Sequence, residues 1–159
     1  MWLSDETFKS VIQHTPLISI DLIVRNEQGK VLLGKRVNAP AKGYWFVPGG
    51  RVRKNETLDD AFVRLVKEEL GIESGITRAD AKFLGVFEHF YDDCVFGNDV
   101  STHYIVLGYL IELSKNNICI NKSSQHLEFS WFNENIDNPI IHNITKKYFL
   151  DLELKNDVY

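Results

Sequence analysis

The chain has 159 residues, 44% hydrophobic, 12% aromatic and 25% charged, which is one domain's worth of foldable sequence and excludes general disorder. Eighteen Lys and Arg against 22 Asp and Glu give a formal net charge of −4, and without a basic run the chain is a poor partner for nucleic acid or an anionic membrane. No apolar run reaches the roughly 18 residues of a membrane span, and the N-terminus lacks the basic and apolar regions of a signal peptide, so a cytoplasmic protein is expected.

Asp5 to His14 reads as a short helix capped by Ser4 or Asp5, with Phe8, Val11 and Ile12 on one face; Pro16 stops it. Leu17 to Arg25 and Lys30 to Arg36 are β-branched, apolar runs joined by Asn26-Glu27-Gln28-Gly29, a strand, a turn and a strand. A Pro/Gly/Ala loop leads to the short aromatic strand Tyr44 to Val47. From Thr57 to Leu70 the period turns helical, with Leu58, Ala61, Phe62 and Leu65 in one stripe and Gly71 as the stop. Lys82 to Tyr91 and Thr102 to Leu113 read as longer strands around a polar segment. Phe129 to Phe132 reads as one more short strand, and His142 to Leu154 as a closing helix. This order is α+β, a mixed sheet covered by helices in a single domain over residues 1–159. Cys94 and Cys119 have neither CxxC spacing nor metal-ligating neighbours, and read as buried or idle thiols.

The chemistry concentrates in residues 50–72. Gly49 and Gly50 let backbone amides and carbonyls approach a ligand, since no side chain stands in the way. A loop carrying Glu56 follows, then a helix carrying Arg64 and, one turn later, Glu68 and Glu69, so an Arg64–Glu68 ion pair fits one helical turn. Carboxylates on a rigid helix beside an exposed carbonyl suit a hard divalent cation such as Mg²⁺, which shares its shell with water and substrate phosphates.

These residues resemble the Nudix box, GX₅EX₇REUXEEXGU, with Gly50, Glu56, Arg64, Glu68, Glu69, Gly71 and Ile72 in register. The resemblance implies the Nudix α/β/α sandwich, a mixed β-sheet between helices. One position departs: the glutamate that follows the box arginine is Leu65 here, which removes a carboxylate and implies fewer bound metals. Within the superfamily the chain is similar to the GDP-mannose mannosyl hydrolases. That similarity is carried by Leu33-Gly34-Lys35-Arg36, Gly43-Tyr44-Trp45-Phe46-Val47-Pro48-Gly49-Gly50-Arg51-Val52, His89-Phe90-Tyr91-Asp92-Asp93, Thr102-His103-Tyr104 and Gln125-His126. It implies water attack at the anomeric carbon of GDP-mannose with inversion, with GDP as leaving group and GDP-glucose as a second substrate.

The roles implied divide by chemistry. Gly49, Glu69 and Gln125 are expected to hold one Mg²⁺ per subunit, with Mn²⁺ as a substitute. His126 is the expected base, since neutral imidazole accepts a proton near pH 7; His89 is its strongest rival and a candidate sugar contact. Arg36 and Arg51 are the expected clamps on the departing diphosphate, their planar forks matching phosphate oxygens. Tyr104 reads either as a hydroxyl donor to that diphosphate or as a packed strand residue. Asp21 interrupts an apolar strand and needs a partner there, which assigns it a substrate-facing or orienting role. Trp2, Leu3 and Phe8 offer surfaces for stacking on guanine, or pack in the core. Glu56 and Arg64 are expected to pin the loop to the helix, with Glu68 beside them. A homodimer binding a GDP-sugar, and neither nucleic acid nor membrane, completes the expectation. Two other readings stay open: a pyrophosphohydrolase attacking phosphorus, and a nucleotide-binding module without turnover.

Overall fold

The structure, a computed structural model, describes residues 2–113, 126–134 and 137–156. In chain order the elements are α1 (Asp5–His14), β1 (Leu17–Arg25), β2 (Val31–Arg36), β3 (Trp45–Phe46), β4 (Gly49–Arg51), α2 (Leu58–Leu70), β5 (Lys82–Tyr91), β6 (Thr102–Glu112), β7 (His126–Phe132) and α3 (Asn143–Asn156). A single 3-10 turn, Arg78–Asp80, links α2 to β5. The strands form one mixed sheet with the path β3-β2-β1-β6-β5, in which β4 pairs with β1 and β7 with β2.

The centre of the sheet is the parallel pair β1–β6, in register from Leu17 opposite Tyr104 to Arg25 opposite Glu112. A strand covered on both faces reads as a nearly continuous apolar run, and β1 does so for this reason. Its even positions, Ile20, Leu22 and Val24, join Ala61, Phe62, Leu65, Val66 and Leu70 of α2 in one core. Its odd position Ile23 joins Tyr148, Phe149 and Leu152 of α3 in another, on the opposite face. The two cores make the α/β/α sandwich. A third cluster, Ile12, Leu17, Cys94 and Val100, seats α1 and the segment before β6 beyond the end of α3's core.

The caps follow the sequence. The Ser4 and Thr57 side chains accept backbone N–H groups of Thr7 and Asp60 at the starts of α1 and α2. Gly71 ends α2 in the left-handed conformation, φ +70°, where a side chain would be strained. One strand escapes the hydrophobic pattern: Gly49–Arg51 forms β4, antiparallel to Ser19–Asp21. Among the described residues no helix is long and apolar enough to cross a membrane.

Candidate active site

The odd face of β1 carries Asp21 between Ser19 and the buried Ile23. Beside it opens a cavity of about 280 Å³ between β1, β4, α1, the C-terminal end of β5 and the N-terminal end of β6. Its walls collect seven of the residues predicted from sequence: Phe8, Asp21, Arg36, Gly49, Arg51, His89 and Tyr104. The register explains the convergence, because Asp21 opposes Gly49 on β4 and Gly108 on β6, while Tyr104 opposes His89 on β5.

Asp21 has the partner its position demands. The Tyr148 hydroxyl, from α3 on this same face of the sheet, donates to Asp21 Oδ2 at 2.6 Å. Burial pushes the Asp21 carboxyl up to about 7, against the pull of that hydrogen bond and of the Arg36 charge. His89 is almost fully buried, and burial, helped by the positive Lys147 and by His142, pushes its imidazole down to about 3. His89 is therefore a neutral ring at physiological pH.

The cationic side of the cavity is built by aromatic packing. The Arg51 guanidinium lies 3.8 Å from the centroid of the Phe8 ring, and that of Arg36 lies 5.6 Å from Phe46. Burial lowers the Arg51 pKa, and Arg53 and Arg64 lower it further, so Arg51 is a partly desolvated cation ready for an anion. Phe8 thus meets the cavity beneath an arginine, with one face of its ring already occupied. Trp2 lies outside the cavity, 83% exposed and stacked at 5.1 Å on Arg53; Leu3 is exposed as well.

The box residues form one charged clasp. Arg64 Nε donates to Glu56 Oε1 at 2.6 Å, Nη2 to Glu56 Oε2 at 2.8 Å and to the Arg51 carbonyl at 2.9 Å, and Nη1 to Glu68 Oε2 at 2.9 Å. Glu56 also accepts from the Arg53 N–H at 2.8 Å. The Arg64 hydrogen bonds hold the Glu56 carboxyl below its usual range. The loop is pinned to α2, and Glu68 is an ion-pair partner of Arg64.

The residues present fit a metal of the sparse kind. Leu22 N–H donates to the Pro48 carbonyl and Val52 N–H to that of Ile18, which makes Ile20–Gly50 the hydrogen-bonded pair and leaves the Gly49 carbonyl on the outer edge of β4. The Arg51 carbonyl, two residues on, shares that edge and is the one that receives Arg64 of α2. Glu69, on the same helix, is 3% exposed. Among the described residues no three His, Cys, Asp or Glu converge on a metal. Gln125 lies outside the described residues. For His126 the backbone alone is described: it opens β7 opposite Arg36, whose side chain lines the cavity.

The comparisons agree with this architecture. The family model described as NUDIX domain matches residues 15–151, and the chain belongs to the Nudix family. Among curated proteins it is similar to the low-salt glycan biosynthesis protein Agl8 of Haloferax volcanii, 42% identical over 130 residues that cover 82% of this chain and 79% of that one. Among solved structures it is similar to the MutT protein from Methanosarcina mazei Go1, with TM-score 0.68, 23% identity, and 90% and 97% of the two chains covered. The MutT NUDIX hydrolase from Burkholderia pseudomallei gives TM-score 0.66, 25% identity, and 87% and 99% coverage.

Two features of the site are not readable from the sequence as written. Tyr148 looks like one more apolar helix position, because its acceptor is 127 residues away. Tyr91 lines the cavity at the end of β5; it stands in a segment that carries the resemblance, yet none of the roles implied there falls to it.

Proposed function

We propose that the chain hydrolyses GDP-hexoses, GDP-mannose first and GDP-glucose second, at the anomeric carbon and not at phosphorus. The observation that carries this reading is the pairing of two cavity arginines, Arg36 and Arg51, with a box whose extra carboxylate is replaced by buried Leu65. Attack on phosphorus asks for cations that activate water beside the diphosphate. Loss of GDP from a sugar asks chiefly for neutralisation of a departing anion, and two guanidiniums supply that. A relative named for glycan biosynthesis is in keeping with a nucleotide sugar.

In this reading the bond from C1 to the β-phosphate oxygen breaks and its electron pair leaves with GDP. A water oxygen bonds C1 from the opposite face, giving the inverted hexose, and its proton passes to His126. Arg36 and Arg51 grip the diphosphate, Tyr104 donates to it, and Asp21 and His89 face the hexose. Gly49, Glu69 and Gln125 would hold Mg²⁺, which supplies a further positive charge for the leaving diphosphate. The intact Glu56–Arg64–Glu68 clasp favours a second reading, cleavage at phosphorus with release of GMP and hexose 1-phosphate.

Hydrolysis in ¹⁸O water followed by NMR decides between them. Label on the hexose, β-mannose as first product and intact GDP are expected; label on phosphate would overturn attack at carbon. Binding without any turnover would leave a nucleotide-binding module.

A further inference from the structure

Tyr148 sits on α3 with its ring fully buried, edge-on to Phe87 at 4.7 Å between centroids. A phenylalanine would pack there equally well. The hydroxyl therefore needs a reason, and its two partners supply one: it donates to Asp21 Oδ2 at 2.6 Å and lies 3.5 Å from His89 Nε2. Both partners belong to the cavity wall. Since the single phenolic proton goes to Asp21, the oxygen remains free to accept from His89, which fits a neutral ring protonated at Nε2.

The neighbouring strands are cut to admit this arrangement. A Cβ on Gly108 would lie 2.9 Å from the Phe87 ring and 3.3 Å from Tyr148 Cε1. A Cβ on Gly49 would lie 2.6 Å from Asp21 Oδ1 and 2.5 Å from the Ile20 carbonyl. Asp21 thus stands in a slot between two glycines that oppose it in register, one oxygen tied down to α3 and the other beside β4. We propose that Tyr148 is a positioning residue: from α3, on the same face of the sheet, its hydroxyl fixes Asp21, and with it His89, in the orientation that meets the hexose. The assignment rests on reading the cavity as a GDP-sugar site with Asp21 against the sugar.

The proposal separates ring from hydroxyl. Tyr148→Phe in the full chain is expected to lower kcat on GDP-mannose by about 10- to 100-fold, while KM and the Kd for GDP stay within about threefold, because the arginines that hold the diphosphate do not touch Tyr148. In an Asp21→Asn background the same substitution should cost less than about twofold, since the two residues act as one unit. An unchanged kcat, a parallel loss of GDP binding, or penalties that multiply in the double variant would overturn it. Should Tyr148→Phe fail to fold, the hydroxyl proton itself gives the answer. A slowly exchanging, downfield proton signal in the native protein that disappears in Asp21→Asn supports the contact; absence of that signal, or its persistence in Asp21→Asn, overturns it. Release of GMP instead of GDP would overturn the reading of the reaction alone, because the Tyr148–Asp21 coupling is measured on whichever product forms.

Discussion

The side chain of Leu65 rests on the backbone of Gly50: a Cβ added to that glycine would lie 2.6 Å from Leu65 Cδ2. Leu65 is 2% exposed and belongs to the core between α2 and the sheet. Where the box consensus puts a carboxylate, this chain puts hydrocarbon against the glycine turn, and hydrocarbon repels an ion. Any cation here must rely on the next turn of α2.

That turn carries Glu69. Glu69→Gln is expected to keep the fold and to lower Mg²⁺-dependent turnover by about 10²-fold or more. Removing metal with a chelator should act in the same direction on the native protein. Titration of activity against Mg²⁺ in both proteins checks this, and equal activity in the variant would remove Glu69 from the ligand set.

Asp21 makes the site sensitive to pH through stability. Its carboxyl is raised from 3.8 to about 7, chiefly by burial, so the folded chain holds a proton that the unfolded chain gives up between these values. The stability it contributes is fully present below pH 3.8 and is lost as pH rises through about 7. Metal-free Asp21→Asn should therefore have a higher Tm than the native protein at pH 8, with the gap closing towards pH 4, and it should hydrolyse substrate more slowly. Thermal melts across that range test the sign.

Glu56 has the opposite sign. Hydrogen bonds from Arg64 hold its carboxyl below 4.5, so its contribution is present above that value and is lost as pH falls through the lowered one. Glu56→Gln breaks a partly buried charged pair and should cost about 2–3 kcal/mol at neutral pH. Denaturant melts stepped down from pH 7 should show the difference at neutral pH and its shrinkage as the lowered Glu56 carboxyl titrates.

In our reading the stack of Arg51 on Phe8 is a binding device. Phe8→Ala removes the ring under the guanidinium and should raise KM for the GDP-sugar by about three- to tenfold, the scale of one partly desolvated cation–π contact. A smaller change in kcat would mark Arg51 as the residue whose placement was lost. Steady-state kinetics of Phe8→Ala and Phe8→Tyr, the second expected to behave as native, check the point.

His126→Leu should reduce turnover by about 10²–10⁴-fold while leaving GDP affinity nearly intact, the pattern of a lost general base. Calorimetric titration with GDP beside the rate measurement separates this from a structural histidine, which would lose both.

Much of this was legible beforehand. The spans of α1, β1 and β5 follow from capping residues and apolar runs that need no tertiary partner to be recognised. β4 was not legible, because Gly-Gly-Arg has no strand propensity and becomes a strand only through its pairing with Ser19–Asp21. The role of Gly108 was not legible either: it makes room for the Phe87 and Tyr148 rings, which come from another strand and from α3. Asp21 announced itself as a charge in an apolar run. Its partner did not, since a tyrosine on a helix face says nothing about where its hydroxyl ends. Trp2 and Phe8 were alike in sequence as flat surfaces, and the fold separates them, one exposed on Arg53 and the other beneath Arg51.

Backbone pairing flanks Asp21 on both edges, β6 on one and β4 on the other, and helices cover both faces of its strand. Such a segment opens to solvent only when the whole domain does, so amide deuterium uptake around Asp21 should be among the slowest in the chain. The other wall of the cavity is built differently. There α1 meets the segment before β6 through the Ile12, Cys94 and Val100 cluster, the edge-on Phe8–Phe96 contact and the surface ion pair Lys9–Asp99. In our reading the hexose meets paired backbone, and the entrance is walled by side-chain packing.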